Sequence, residues 1–298
     1  MLGAALWLIA QLPPQFQDPG RLETRDLRLI RRHGITWVSL PSPFRAEGER
    51  FVLEAGGAEF PEKGGISLIG GTVRLRQDSL QIHSDSLYLL PGADTPFLFV
   101  GHVVVIRSQD TLRAECLRHS RDTSWMEGRV QVLRGAERPA EARATRALWT
   151  KDTLILLPYP SPVLTVRDTP PLHVVADTLR LMQGKLRADG HVELWHAKGT
   201  GTGRHLAYRT GPREGVLLGD RAVFEGDQYR MEAETLRFAL GEKALRQVQG
   251  QGKVQIQTGG DSLSLQADTV WVEWKETGDV ARMEARGGIT GWLKTSSP

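Results

Sequence analysis

The stretch Ala176-Asp177-Thr178-Leu179-Arg180-Leu181, followed shortly by Leu186-Arg187-Ala188-Asp189-Gly190-His191-Val192-Glu193-Leu194, decides the fold. Apolar residues alternate with Arg, Asp and Glu on both sides of the glycine, which is the period of a strand with one face in a core and the other in water. The same pattern recurs along the chain. A glycine shortly before a valine appears at Gly71-Thr72-Val73, Gly101-His102-Val103, Gly128-Arg129-Val130, Gly190-His191-Val192 and Gly252-Lys253-Val254, with looser copies ending at Val163, Val223 and Ile289. Those eight positions are separated by 30, 27, 33, 29, 31, 31 and 35 residues.

A second marker lies between the first, a small residue and usually an acidic one ahead of a Leu or Val. It stands at Ser84 to Leu87, Ala114 to Leu117, Ala176 to Leu179, Ala233 to Leu236 and Ala267 to Val270, with Leu148 and Leu206 in weaker copies. Two markers with one period of about 31 residues define a repeat. Each repeat reads as two strands joined by short turns such as Ser108-Gln109-Asp110 and Ser120-Arg121-Asp122, and short turns make neighbouring strands antiparallel. A glycine in mid-strand weakens a flat sheet, so its regular return predicts a bend or a close approach of another backbone at each copy. The odd intervals Ile82 to Leu87 and Leu265 to Val270 predict either a bulge or a strand apolar on both faces. About sixteen strands exceed what one open twisted sheet carries, so the sheet is expected to fold over on itself.

Composition supports a folded chain. Forty per cent of the 298 residues are hydrophobic and 24% are charged, with no long run of one sign, so wholesale disorder is excluded. The 32 glycines and 16 prolines punctuate it too densely for long helices. One cysteine, Cys116, allows neither an internal disulfide nor a cysteine-based zinc site. The net charge is +3, with 30 arginines and 8 lysines; arginine's fork slightly favours phosphate or carboxylate partners. The apolar run Leu2 to Ala10, ended by Gln11, Leu12 and Pro13-Pro14, has the length of a signal-peptide h-region and is too short to span a bilayer. It lacks a preceding Lys or Arg, so the alternative is a buried strand; the expectation is an exported, periplasmic protein, outer-membrane associated in one variant of that reading.

The paired markers over residues 64 to 291 resemble the OstA-like repeats of the LptA family, periplasmic lipopolysaccharide-transport proteins, which occur also in the N-terminal domain of LptD-like translocons. The resemblance implies an all-β fold: an elongated antiparallel β-jelly roll built from 31-residue two-strand repeats, with two splayed sheets and an apolar groove for acyl chains. It also implies head-to-tail association by edge-strand addition, with export-system proteins or with a second copy. The chain would be the bridge itself, a detached translocon-like module, or a divergent member with another cargo. On this reading residues 1–12 are a signal or apolar leader, 13–63 are cap strands, with Gly34 to Val38 and Glu49 to Leu53 as strands, and 64–298 are the repeat jelly roll. The Pro-rich patches Pro158 to Pro162 and Pro170-Pro171 mark a hinge or a covered edge.

Catalytic chemistry finds little footing. Asp followed by Ser or Thr and then Leu occurs at Asp78, Asp85, Asp110, Asp152, Asp177 and Asp261, with Asp268-Thr269-Val270 related. An element present in every repeat serves the repeat, and turn formation by these side chains accounts for it better than acid/base work. His191 and His196 are five apart and point to opposite faces of a strand, so no metal site is expected. Gly199-Thr200-Gly201-Thr202-Gly203 lacks the following helix of a phosphate loop and reads as a glycine-rich turn or bulge. Trp125, Trp149, Trp195, Trp271 and Trp274 read as packing residues, and a balance of +3 is weak for a nucleic-acid surface.

The expected function is therefore non-enzymatic, without cofactor or metal: binding lipopolysaccharide or another acylated lipid, and no nucleic acid. The groove residues on this reading are the inward-alternating Val73, Leu75, Leu87, Val103, Val105, Val130, Val132, Leu179, Val192, Leu194, Leu236, Phe238, Val254 and Ile256. The rival is a structural scaffold or adhesive stalk with a solid core, in which the same residues are ordinary packing. A carbohydrate-active enzyme on a parallel β-helix ranks last, because tight turns imply reversal.

Overall fold

The computed structural model describes residues 21–62, 65–90, 97–120, 123–135, 140–158, 160–167, 170–197, 199–226, 229–241, 245–258, 263–275 and 280–293. Among them are twenty-four strands and no helix, and every ladder given between strands is antiparallel. The ladders include a closed six-strand barrel. The segment Leu2 to Pro14 lies outside the described residues. The chain divides into two compact units, Met1–Gly135 with Thr145–Lys151, and Ala136–Ala144 with Asp152–Pro298.

In the first unit the leading strands come as broken pairs. They are β1 (Arg21–Thr24) and β2 (Arg28–Arg32), β3 (Ile35–Leu40) and β4 (Phe44–Glu47), and β5 (Phe51–Ala55) and β6 (Gly57–Pro61). β1 bonds β4 while β2 bonds β3, and β4 bonds β5 while β3 bonds β6. Both β5 and β6 then bond one long strand, β7 (Ser67–Gln77). Each pair is one rung interrupted midway. Between β3 and β4 the interruption is Pro41-Ser42-Pro43, where proline has no ladder N–H to give. From β7 the rungs run unbroken through β8 (Leu80–Leu89), β9 (Phe97–Arg107), β10 (Asp110–His119) and β11 (Ser124–Arg134). β12 (Ala140–Trp149) is shared, its first half belonging to the second unit.

The second unit begins with two broken rungs, β13 (Leu154–Leu157) with β14 (Val163–Val166), and β15 (Leu172–Val175) with β16 (Thr178–Met182). Pro158, Pro160 and Pro162 separate the first two. β13 bonds β16 and β14 bonds β15. β15 and β16 both bond β17 (Lys185–His196), a branch of the kind that lets a sheet turn back on itself. Unbroken rungs follow as β18 (Gly199–Arg209), β19 (Glu214–Gly226), β20 (Tyr229–Leu240), β21 (Leu245–Thr258) and β22 (Leu263–Trp274). The final rung is β23 (Val280–Arg286) with β24 (Thr290–Leu293), both on β22.

The N-terminal strands expected as a cap over 13–63 continue the same stack into β7, and the units divide near residues 135 to 152. Turn chemistry follows the sequence. His33 and Gly34, with φ of 51° and 79°, form the two-residue link between Arg32 and Ile35, the paired left-handed geometry that suits the twist of a hairpin. Ser108 and Gln109 link Arg107 to Asp110, with Ser108 at φ 55°. Ser120 donates its N–H to the Thr123 carbonyl at 2.9 Å; Arg121 and Asp122 lie outside the described residues.

Candidate functional site: a bulged corner and an apolar interior

Each of the five strict glycine-valine markers is a β-bulge. On β7, Gly71 and Thr72 face the single residue Asp85 of β8, between the pairs Gly70 with Ser86 and Val73 with Ser84. Register shifts of the same kind fall at Gly128-Arg129, Gly190-His191 and Gly252-Lys253. In the five strict copies both residues are left-handed: φ is 74° and 60° at Gly71-Thr72, 79° and 43° at Gly101-His102, 77° and 43° at Gly128-Arg129, 73° and 40° at Gly190-His191, and 81° and 47° at Gly252-Lys253. Two successive left-handed residues bend a strand and raise its local twist.

The first of the two must be glycine for a second reason. A Cβ on Gly190 would lie 2.2 Å from Asp177 Oδ2, on Gly101 2.3 Å from Asp85 Oδ2, on Gly128 2.5 Å from Glu115 Oε2 and on Gly252 2.5 Å from Glu234 Oε2. The acidic residue of one marker thus lies over the glycine of the next rung. The residue after the glycine then meets that acid: His102 Nδ1 is 2.8 Å from Asp85, Arg129 Nε donates to Glu115 at 2.6 Å, and His191 Nδ1 is 2.8 Å from Asp177. The close approach expected from the sequence is made by a side chain, and the two periodic markers are the two halves of one contact.

This relocates several aspartates expected in turns. Asp85, Asp177 and Asp268 lie at the bulged corners, whereas Asp78, at φ 49°, occupies the turn between β7 and β8 and Asp152 the bend between β12 and β13. Asp110 begins β10 and accepts the Gly135 N–H at 3.3 Å, while Asp261 lies outside the described residues. The odd interval also resolves. Ile82 and Leu87 are both buried, because the phase of burial on β8 slips at the corner residue Asp85.

On either side of the corners, the inward face is apolar. The fourteen groove residues, Val73, Leu75, Leu87, Val103, Val105, Val130, Val132, Leu179, Val192, Leu194, Leu236, Phe238, Val254 and Ile256, are all inside, at 0–3% exposure. A side chain that a water-sized sphere barely reaches does not border an open channel, so the lining is closed by its own neighbours in this conformation. In the second unit the closure is aromatic. The Phe238 ring lies 6.2 Å from Tyr208 and 6.1 Å from Phe224, and Phe224 stacks on Tyr229 at 6.2 Å. Tyr208 and Phe224 were missed as interior residues, although the alternation Leu206-Tyr208 and Ala222-Phe224 carries the same signal.

The glycine-rich segment Gly199 to Gly203 is not a turn; it is the first half of β18, with a register shift just beyond Thr202. Its missing side chains make room for the interior: a Cβ on Gly201 would meet Leu194 at 2.9 Å and one on Gly203 would meet Leu217 at 2.8 Å. His191 is outward and His196 inward on β17. Trp149 is buried under the Arg107 guanidinium, Trp271 carries Arg286 at 5.0 Å, Trp274 packs on Tyr229 at 4.8 Å and the Trp125 indole donates to Glu127 at 2.8 Å. Trp195 is 38% exposed. Burial raises the Cys116 thiol above its ordinary value, and Glu127 adds to the effect. Among the described residues no three His, Cys, Asp or Glu side chains gather as metal ligands.

Glu232 on β20 is a buried carboxylate on the outer face, held by Arg221 and by Arg230 Nε at 3.0 Å. Burial alone would raise its carboxyl, but the two guanidinium hydrogen bonds outweigh that and hold it below the ordinary 4.5. A depressed carboxyl stabilises the fold above its unfolded value and loses that contribution as pH falls through its folded value. The melting temperature is therefore expected to drop as pH falls below about 4.5, and Glu232→Gln is expected to flatten part of that drop. Identical acid limbs for the two proteins in thermal melts from pH 6 to 3 would contradict this.

A search against protein-family models finds no match, and no curated protein matches the chain.

Proposed function

We propose that the chain is a non-enzymatic, exported lipid-transport protein with an OstA-like jelly-roll architecture, sheltering the acyl chains of lipopolysaccharide or another acylated lipid between apolar half-sheets as it passes between inner and outer membranes. One observation carries the reading: rung after rung bends at the same bulge, and on both sides of the bend the inward residues are aliphatic or aromatic. Such a lining is continuous along each unit, as a sliding acyl chain requires. Parting it costs about 25 cal/mol per Å² exposed, and each acyl CH₂ taken in returns about 0.8 kcal/mol. A chain of a dozen methylenes thus offsets the opening of roughly 400 Å². Edge-strand addition is supported by the rung of β23 and β24, where Val280 and Trp292, and Ile289 between the two strands, are each more than half exposed.

The closed packing of the fourteen lining residues favours a second reading, a structural β-repeat scaffold with a solid core. The two separate in one experiment. A photoreactive residue at Val103 or Val192, with outward Arg113 and Glu193 as controls, is presented to labelled lipopolysaccharide. Adducts from the inward pair alone support the carrier; adducts from the outward pair alone, or from none, leave the scaffold.

A further inference from the structure

The outer face of the second unit carries a basic cleft of about 420 Å³, ringed by outward cations and backed by the strands that bear the interior residues Leu186, Tyr208 and Phe238. Its floor and walls follow from strand register. One outward row runs Arg187 on β17, Ala207 on β18, Val216 on β19 and Arg237 on β20. Two small apolar side chains therefore lie between two exposed arginines, which stand three strand spacings, about 14 Å, apart. The next row adds Lys185, Arg209 and Glu214, and Arg246 flanks it from β21.

Charge accounting distinguishes this cleft from an ordinary salt-bridged sheet face. Arg209 is paired with Glu214. Lys185, Arg187, Arg237 and Arg246 have no carboxylate partner among the described residues, whereas most neighbouring cations do: Arg180 pairs with Asp189, Arg204 with Asp220, and Arg230 with Glu225 and Glu232. The whole chain has a net charge of only +3, so these four unpaired cations alone carry more positive charge than the chain does in sum. Exposed like charges repel at short range, and a sheet that sets them round a recess stabilises an anion brought into it.

We propose that this cleft binds a soluble ligand carrying two or more phosphate groups, with Arg187 and Arg237 taking separate phosphates as bidentate partners and Lys185 and Arg246 adding charge. Arginine's planar fork matches phosphate oxygens, and the small floor of Ala207 and Val216 leaves the recess open between the two forks. A concave recess ringed by its cations suits a compact polyanion better than the plane of a bilayer. The cations that would hold the ligand, Lys185, Arg187, Arg237 and Arg246, are distinct from the fourteen apolar lining residues.

The test uses the full chain and inorganic tripolyphosphate in low-salt calorimetric titration. One saturable site is expected, weakening as salt rises. The pair Arg187→Glu and Arg237→Glu is expected to lower affinity about tenfold or more, and Arg187→Gln with Arg237→Gln by less. The pair Arg113→Glu and Arg118→Glu changes net charge equally at exposed arginines of the first unit and is expected to leave affinity within about twofold. Equal losses in the two reversal pairs, or no binding by the natural chain, would overturn the site. Binding to phosphatidylglycerol vesicles without binding to tripolyphosphate would overturn the soluble ligand and make the face a membrane-contact surface.

Discussion

Replacing Gly190 by valine is expected to lower the melting temperature of the second unit by on the order of 10 °C, a loss of about 2–4 kcal/mol. Two costs combine. The φ of 73° is one that a β-branched residue adopts only under strain. The new Cβ also lands 2.2 Å from Asp177 Oδ2 and 3.0 Å from Asp177 Cβ, so the acid must swing away and surrender its contact with His191. Two comparisons separate these costs. Gly34→Ala meets nothing within 4 Å while retaining φ of 79°, so it measures the backbone cost alone, about 1 kcal/mol. Asp177→Gly combined with Gly190→Val removes the collision and should recover part of the loss in thermal melts. A Gly190→Val protein that melts with the natural one would show that the corner tolerates a side chain, and the repeat's central device would be lost with it.

Phe238→Ala is expected to cost about 3–5 kcal/mol. The ring is 3% exposed, packs against Tyr208 and Phe224, and covers Gly215, where a Cβ would meet Phe238 Cζ at 2.2 Å. Truncation removes transfer free energy and leaves a hole that the flanking rungs cannot readily close. The hole suggests its own check: Gly215→Ala, destabilising alone, should be better tolerated in the Phe238→Ala background. Denaturant unfolding of the four proteins gives the coupling between the positions. A loss well under 1 kcal/mol for Phe238→Ala would mean that the ring contributes little to a packed core, contrary to its burial.

The architecture was legible in the sequence to the extent that its causes are local. Alternation at Val192-Leu194 and Val103-Val105 reports burial directly, because period two admits one inward face, and all fourteen residues read that way are inside. The glycine markers announced a bend for the same reason, since few other residues accept the backbone required. What the markers did to each other was not legible. Asp177 and Gly190 are thirteen positions apart in the chain, and their meeting depends on the register of β15, β16 and β17, which alternation does not specify. The aspartates were accordingly placed in turns, a local role, when three of them act across the ladder. The basic cleft was hidden for a related cause: Arg187, Ala207, Val216 and Arg237 become a row only once four strands are aligned.

The broken and unbroken rungs share one further property, that each ladder joins a rung to the one before it or after it. Such a chain can acquire structure in the order of its synthesis or its passage through a pore, each new hairpin docking on an edge already formed and none waiting for a distant segment to arrive. Loop-closure costs stay small for an all-β protein of this length, and folding should be correspondingly quick and directional.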